Sequence, residues 1–177
     1  MLTDNEIQDA ITKGDIKIEP FDSNQIKPGN YKVKLGHKLL IPKKGLRVNP
    51  FNNSQVLYDE YDISDKSYIL KPKEFILAQT FEKIGLSKDI AAILDGRSTL
   101  ARLGLSIHQS AQLIVAGEKP QIITLEIYNA GEFEIELINN WQVGKLIFYR
   151  FSRENTSRFD DFGKYSGQEE TTAPILP

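Results

Sequence analysis

Hydrophobic residues follow two different periods along the chain. Near the N-terminus Ile7, Ala10 and Ile11 recur at helical spacing, after a capping box at Thr3–Glu6 and before Gly14. Further on, apolar residues alternate with polar or basic residues, and Gly, Pro and Asn separate the runs. The pattern therefore predicts one short amphipathic helix followed by strands.

Short strands are predicted along most of the remaining chain. Residues 48–73 lose the alternation and are predicted as loops and short edge strands. The clearer strands are predicted at 16–18, 31–35, 39–41, 74–81, 90–94, 121–128, 133–137 and 142–152. Many short strands, little helix and no βαβ rhythm indicate a mainly β (all-β) fold, either a sandwich or a barrel.

The segment 95–105 combines a turn with hydroxyl and guanidinium groups. Ser98 is predicted to be the N-cap of a one-turn helix over 99–103, which Gly104 ends. Ser98 and Arg102 are four residues apart and share a helix face, with Arg97 beside them. Such a group suits an anionic ligand such as a phosphate chain. A capped surface turn with two solvated arginines explains the spacing equally well.

The strand 121–128 carries a candidate general base. Alternation places Ile123, Leu125 and Ile127 on one face, and Ile122, Thr124, Glu126 and Tyr128 on the opposite face. Glutamate is a poor strand former, so its presence requires a reason. Three explanations are open: a solvent-facing ion pair, an interface contact, or a general base in a partly desolvated cleft. From the sequence alone the ion pair is favoured.

Size and charge limit the possible functions. The chain has 177 residues, enough for one domain with a real core, and residues 153–177 are too polar to form a core element alone. The formal charge is −2, so no overall positive field favours a nucleic acid or an anionic membrane as partner. An acidic N-terminus and the lack of a long apolar run predict a cytoplasmic protein.

The absence of cysteine narrows the chemistry further. The sequence has no Cys and only two histidines, His37 and His108. Thiolate nucleophiles, disulfides and cysteine-based zinc sites are therefore excluded. Any hydrolysis must use an unassisted side-chain base, or a metal that arrives with the substrate.

Taken together, several segments resemble the deoxycytidine triphosphate deaminase family of the trimeric dUTPase-like superfamily. The matching segments are 2–7, 18–21, 28–36, 95–105, 108–111, 123–127 and 164–168, in family order. The resemblance implies a distorted β-barrel or jelly roll with a short N-terminal helix and one short helix at the active-site turn. It also implies a homotrimer with active sites between subunits, in which 1–152 form the barrel domain and 153–177 form an arm that closes over the nucleotide.

The resemblance also implies roles for individual residues. Glu126 matches the general base that activates water for attack on C4 of cytosine. Ser98 and Arg102 match residues that position this water and pair with the glutamate, and the Ala111 backbone matches a water-holding carbonyl. Val115 takes the place of a family aspartate beside the sugar. The implied substrate contacts are Arg97, Ser98, Thr99, Leu100, Ala101, Arg102, Val115, Thr124, Leu125, Glu126, Lys164, Tyr165 and Gln168.

Three functions follow as hypotheses. The leading one is a zinc-independent hydrolase that deaminates dCTP to dUTP and ammonia, with Mg²⁺ carried by the triphosphate, no metal ligands on the protein, and dTTP as a possible inhibitor. The runner-up is a dUTP diphosphatase or a bifunctional deaminase that forms dUMP, because 108–111 also resembles bifunctional members. The third, motivated by Val115, is a nucleotide-binding regulator that keeps the trimer without the chemistry.

Overall fold

A computed structural model describes residues 1–52, 55–115, 117–157 and 163–176. Within these ranges the helices are α1 (Asp4–Lys13) and α2 (Ser98–Ala101), and residues 23–25 form a 3-10 turn. The strands are β1 (Ile16–Glu19), β2 (Ile26–Lys27), β3 (Asn30–Lys34), β4 (Lys38–Pro42), β5 (Tyr58–Asp62), β6 (Tyr68–Leu70), β7 (Phe75–Leu86), β8 (Ile90–Gly96), β9 (Leu105–Ser106), β10 (Leu113–Ile114), β11 (Gln121–Asn129), β12 (Ile135–Leu137) and β13 (Gln142–Arg150).

The N-terminal helix has the ends that the sequence predicts. The Thr3 hydroxyl accepts a hydrogen bond from the Glu6 N–H at 3.3 Å, and the Glu6 carboxylate accepts one from the Thr3 N–H at 2.8 Å. Gly14 closes the helix in the left-handed conformation, with φ of 82°. Ile7 and Ala10 are buried, which confirms the amphipathic pattern. Neither described helix has the length and apolar character needed to cross a membrane.

Two large antiparallel sheets share one core. The first has the strand order β5-β4-β7-β11-β9, with β1 also paired to β7, and the second has the order β10-β8-β13-β3-β2. Within the described ranges these sheets do not join into one closed barrel. The mainly β prediction is confirmed, in the form of two large sheets and a small sheet in which β12 pairs with β6. Buried residues from both sheets contact one another in the core, among them Leu39, Ile76 and Leu125 from the first and Val33, Leu94 and Phe148 from the second.

Strand β7 is the scaffold for the candidate site strand, and it is longer than the sequence pattern indicates. The pattern predicts a strand over 74–81, whereas β7 continues to Leu86. Glu82 interrupts the apolar alternation but is only 2% exposed, and its carboxylate accepts a hydrogen bond from the Lys34 N–H at 3.0 Å. Gly85 is required by a close approach, since a Cβ there would lie 2.8 Å from the Glu118 carbonyl oxygen.

A β-bulge shapes β11 where it crosses β7. The pairing shifts between Ile122 and Thr124, so the Ile123 N–H has no ladder partner and instead donates to the Thr80 hydroxyl at 3.1 Å. The same hydroxyl donates to the Glu82 carbonyl at 2.7 Å. Beyond the bulge the burial pattern alternates, with Leu125 in the core and Thr124 and Glu126 half-buried. At the bulge the predicted alternation is wrong, because Ile122 is buried and Ile123 is half-buried. The bulge therefore sets which β11 side chains face away from the core.

Candidate active site

A cavity of about 290 Å³ lies beside β11. Its walls come from β7, β8, β10, β11, the loop at 108–111 and the C-terminal segment, which are brought together by the sheet pairing and by tail contacts. Most of the lining is apolar, including Leu77, Leu94 and Ile123. The cavity gathers six residues that the family resemblance implies for the site: Ala111, Val115, Thr124, Glu126, Tyr165 and Gln168.

The Glu126 carboxylate is held at this cavity by a neighbouring loop. Its Oε2 accepts a hydrogen bond from the Gln109 N–H at 2.8 Å, and the Gln109 side-chain amide donates to the Glu126 carbonyl at 3.3 Å. Among the described residues no Lys or Arg forms an ion pair with Glu126, so the default ion-pair interpretation is not supported. The half-buried carboxylate therefore lies at the cavity wall with one oxygen held by a backbone donor.

Tyr58 on β5 extends the site beyond this first cavity. It lines an adjoining cavity of about 540 Å³, whose wall also contains Thr172 and Pro174 of the first cavity. Burial raises the pKa of Tyr58, and the negative charge of Glu126 raises it further. Both effects favour the neutral phenol over the phenolate.

Helix α2 differs in detail from the prediction. It begins at Ser98, so Ser98 is its first residue and Arg97 is the N-cap; the prediction of Ser98 as N-cap is wrong. Arg97 makes no side-chain capping bond, and its Nη1 donates instead to the Gln142 carbonyl at 2.7 Å. The helix ends at Ala101, two residues before the predicted end at 103, and Gly104 follows it in the left-handed conformation, φ 85°.

The α2 residues lie apart from the Glu126 cavity of the same chain. Helix α2 contacts β9, and β9 pairs with the far end of β11 at Tyr128 and Asn129. Asn129 is three residues beyond Glu126, about 10 Å along an extended strand. Eight residues that the family resemblance implies for the site do not line this cavity. They are Arg97, Ser98, Thr99, Ala101, Arg102 and Lys164, together with Leu100 and Leu125, whose side chains are in the core.

The cavity lacks the charges that a triphosphate needs. None of its described lining residues is Lys or Arg, and its polar groups are the Glu126 carboxylate, the hydroxyls of Thr124, Tyr165 and Thr172, amides and His108. In the described ranges no three His, Asp or Glu side chains come close enough together to hold a metal ion. Apolar walls with a few polar groups suit a polar heterocycle, while phosphates require cations from elsewhere.

Sequence reasoning missed several residues of this site. Gln109 lies within segment 108–111, which resembles the family, so this resemblance could have indicated Gln109 as a site residue. Gln121 is 5% exposed, and its side-chain oxygen accepts a hydrogen bond from the Gly167 N–H at 2.7 Å. Thr172 and Pro174 line the cavity from a polar tail in which no periodic pattern marks them.

The fold matches that of a solved nucleotide deaminase. The structure of 2'-deoxycytidine 5'-triphosphate deaminase from Agrobacterium tumefaciens superposes with a TM-score of 0.63 over 83% of this chain. The match covers 47% of that longer chain, and the sequences are 20% identical there. The chain therefore has the fold of this deaminase, in agreement with the family resemblance found in the sequence.

Sequence comparison identifies the family. A family model described as dCTP deaminase-like matches residues 1–151. A Methanosphaerula palustris protein named "dCTP deaminase, dUMP-forming" is 33% identical over 174 residues, which covers 97% of this chain and 93% of that protein. An Aquifex aeolicus protein of the same name is 32% identical, covering 96% of this chain and 91% of its own length. The chain belongs to the dCTP deaminase-like family.

Proposed function

We propose that this protein deaminates dCTP and hydrolyses the resulting dUTP to dUMP. The observation that carries the proposal is the Glu126 carboxylate, held by the Gln109 N–H inside a cavity with apolar walls. The relatives named for forming dUMP favour this bifunctional reaction, the runner-up in the sequence analysis, over release of dUTP.

In the first step Glu126 acts on water. Its free carboxylate oxygen removes a proton as the water oxygen forms a bond to C4 of cytosine, and a tetrahedral intermediate results. Glu126 passes this proton to N3, then takes the second proton from the new C4 hydroxyl and delivers it to the amino group. The C–N bond breaks, ammonia leaves, and uracil remains with C4=O and a proton on N3. The Ala111 carbonyl is proposed to hold the attacking water, because Ala111 lines the same cavity.

The remaining groups are proposed to come from a neighbouring chain in a homotrimer. Arg97 and Arg102 supply the positive charges that the cavity lacks, and Ser98 supplies a hydroxyl near the reacting water. Support for this arrangement comes from the placement of α2 beyond the far end of β11 in its own chain. A trimer with sites between subunits would bring α2 of one protomer to Glu126 of its partner.

The second step exchanges the diphosphate group of dUTP for water at the α-phosphorus and releases dUMP and diphosphate. Mg²⁺ is proposed to enter on the triphosphate and to neutralise its charge. Arg97 and the exposed Lys164 are proposed to hold the phosphates, and Thr124 and Tyr165 the nucleoside. Because dTTP has the same sugar and phosphates, it is proposed as a competing ligand.

Val115 favours a second candidate, a deaminase that releases dUTP. Val115 lines the cavity where the family resemblance implies an aspartate beside the sugar. A valine cannot accept a hydrogen bond from a sugar hydroxyl or from water. Hydrolysis at phosphorus that needs this carboxylate would therefore be lost while deamination at C4 remained.

One product analysis tests these candidates. Purified protein with Mg²⁺ is incubated with dCTP, and separately with dUTP, and the nucleotides are separated by ion exchange. Conversion of both substrates to dUMP supports the proposal, whereas accumulation of dUTP from dCTP supports the second candidate. Binding of dCTP with no product would overturn both and favour the regulator. A zinc-selective chelator is expected to leave turnover unchanged.

A further inference from the structure

One threonine of the C-terminal tail is buried between exposed neighbours. Thr171 is 1% exposed, while Glu170 and Thr172 on either side are exposed. Its backbone N–H donates to the Gln79 side-chain oxygen at 2.9 Å, and its hydroxyl oxygen lies 3.2 Å from that of Thr124. The tail is therefore fixed at this point by contacts inside the protein.

Gln79 is itself fixed on the protein side of this contact. It is 3% exposed on β7 and is the register partner of Thr124 on β11. Gly36 gives its side chain room, because a Cβ at Gly36 would lie 2.8 Å from the Gln79 Cγ. The side-chain oxygen of Gln79 thus presents a fixed acceptor, and a buried acceptor of this kind needs a donor.

The contact determines which tail residues reach the cavity. Gln168 lies three residues before Thr171, and its amide donates to the Ile122 carbonyl at 3.1 Å and to the Thr124 hydroxyl at 2.9 Å. The Ile122 N–H donates to the Gln168 carbonyl at 3.0 Å. A slip by one residue in one direction would place Glu170 at the buried Gln79, and burying its charge without a counter-ion is unfavourable. A slip in the other direction would place Thr172 there and would move Gln168 away from the Ile122 carbonyl and the Thr124 hydroxyl.

Ion pairs between exposed tail glutamates and neighbouring lysines contribute less to fixing the position of the tail. Glu169 pairs with Lys83 and, at 3.4 Å, with Lys119, and Glu170 pairs with Lys38 at 2.8 Å. Both glutamates are more than half exposed, so water and salt weaken these pairs. The buried contact therefore specifies the tail position more strongly than the exposed charges do.

We propose that Gln79 and Thr171 are positioning residues that fix the register of the tail, so that Tyr165 and Gln168 of the same chain form a wall of the Glu126 cavity. Neither residue is assigned a contact with the substrate. This inference rests on the proposed function for its effect on catalysis, but the tail register itself is open to a test without substrate.

The test uses Thr171→Pro, which removes the N–H that donates to Gln79. Thr171 lies outside the sheets, so the two-sheet core is expected to fold normally. Hydrogen–deuterium exchange of the nucleotide-free protein should be faster over 163–176 and at the Ile122 amide. Thr171→Ser keeps the N–H and the hydroxyl and should exchange like the wild type. Ala173→Pro is the control for a proline in the same exposed segment.

Kinetics then test the positioning role. For Thr171→Pro and for Gln79→Met, we expect KM for dCTP to rise about tenfold, the size of effect of one lost buried hydrogen bond. The value of kcat at saturating dCTP should change much less, because Glu126 and its Gln109 contact are unaltered. Thr171→Ser should retain the wild-type KM.

The outcomes separate the inference from the proposed function. Wild-type exchange rates in the Thr171→Pro tail would overturn the register contact. Faster exchange with unchanged KM and kcat would overturn the positioning role and leave deamination standing. If the wild type forms no product from dCTP, the proposed function fails, and the positioning role fails with it, whereas the exchange data still decide the register contact.

Discussion

The Glu126 carboxylate accepts a hydrogen bond from the backbone N–H of Gln109 at 2.8 Å, across 17 positions of sequence. This bond occupies Oε2 and holds the carboxyl plane in one orientation. The other oxygen is available to the cavity, whose apolar walls reduce competition from bulk water. A backbone donor keeps this orientation whatever side chain stands at position 109, so the geometry is built into the loop.

Replacing Glu126 by Gln should abolish most deamination. The amide keeps the shape and can still accept from the Gln109 N–H, but it cannot remove a proton from water. We expect kcat for dCTP to fall by about 10²–10⁴-fold, the usual contribution of a positioned general base. Calorimetric titration should show that dCTP still binds. Turnover within a few-fold of the wild type would refute the role of Glu126.

Shared sites predict rescue between two inactive variants. Glu126→Gln and Arg102→Ala damage different halves of a site formed by neighbouring chains. In randomly mixed trimers about a quarter of the sites would combine an intact Glu126 with an intact Arg102, so activity should return when the two are refolded together. Light scattering should show a trimer throughout. A mixture of Glu126→Gln and Glu126→Ala is the control and should stay inactive; the absence of rescue in the test mixture would place Arg102 outside the shared site.

Removing residues 163–177 should impair catalysis without dissociating the oligomer. The truncation deletes the Tyr165 and Gln168 wall of the cavity, which leaves Glu126 open to bulk water. We expect a raised KM for dCTP or no measurable turnover, with an unchanged elution volume in size-exclusion chromatography. A shorter deletion of 176–177 preserves that wall and serves as the control. Normal kinetics for the longer truncation would show that the tail is not part of the site.

Local patterns predicted the parts of the fold that depend on neighbours in sequence. The ends of α1 follow from Thr3, Glu6 and Gly14, which act within one or two helical turns. The alternation around Glu126 follows from the period of a strand. Each of these signals is carried by residues close together in the chain, so a single sequence suffices.

The parts that were not predicted depend on residues distant in sequence. The extension of β7 is hidden by Glu82, whose burial is offset by the Lys34 N–H, 48 positions away. The contact of Thr171 with Gln79 spans 92 positions, and a threonine among glutamates gives no local sign of burial. Helix α2 is one turn long, so a shift of one residue was enough to make Arg97 rather than Ser98 its cap.

The close approach of Gly104 and Gly131 predicts a large loss of stability on substitution. Gly104 has φ of 85°, and a Cβ there would lie 2.4 Å from the Gly131 nitrogen. For Gly104→Ala we expect about 1–2 kcal/mol from backbone strain, and about 1–3 kcal/mol more from the clash. Gly45 has a similar φ of 77° with nothing within 4 Å, so Gly45→Ala is the matched control for strain alone.

Urea unfolding at one fixed protein concentration measures both glycine variants, because the stability of an oligomer depends on concentration. Gly104→Ala should be the less stable of the two. Equal losses would show that the contact with Gly131 relaxes without cost.

Finally, the buried Glu82 should make stability depend on pH. Burial raises the pKa of this carboxyl above its usual 4.5, although the Lys34 N–H partly opposes the shift. The folded protein then holds the proton more tightly than the unfolded chain, so the contribution of Glu82 is fully present below pH 4.5 and is lost as pH rises through the folded-state pKa.

Glu82→Gln is permanently neutral and keeps an oxygen that can accept from the Lys34 N–H. We therefore expect the free energy of unfolding of the variant, relative to the wild type, to increase between about pH 4 and about pH 7. Urea unfolding across this range gives the difference, with Glu136→Gln on the exposed face of β12 as the control. Parallel pH profiles for the wild type and Glu82→Gln would show that the Glu82 pKa is the same in the folded and unfolded states.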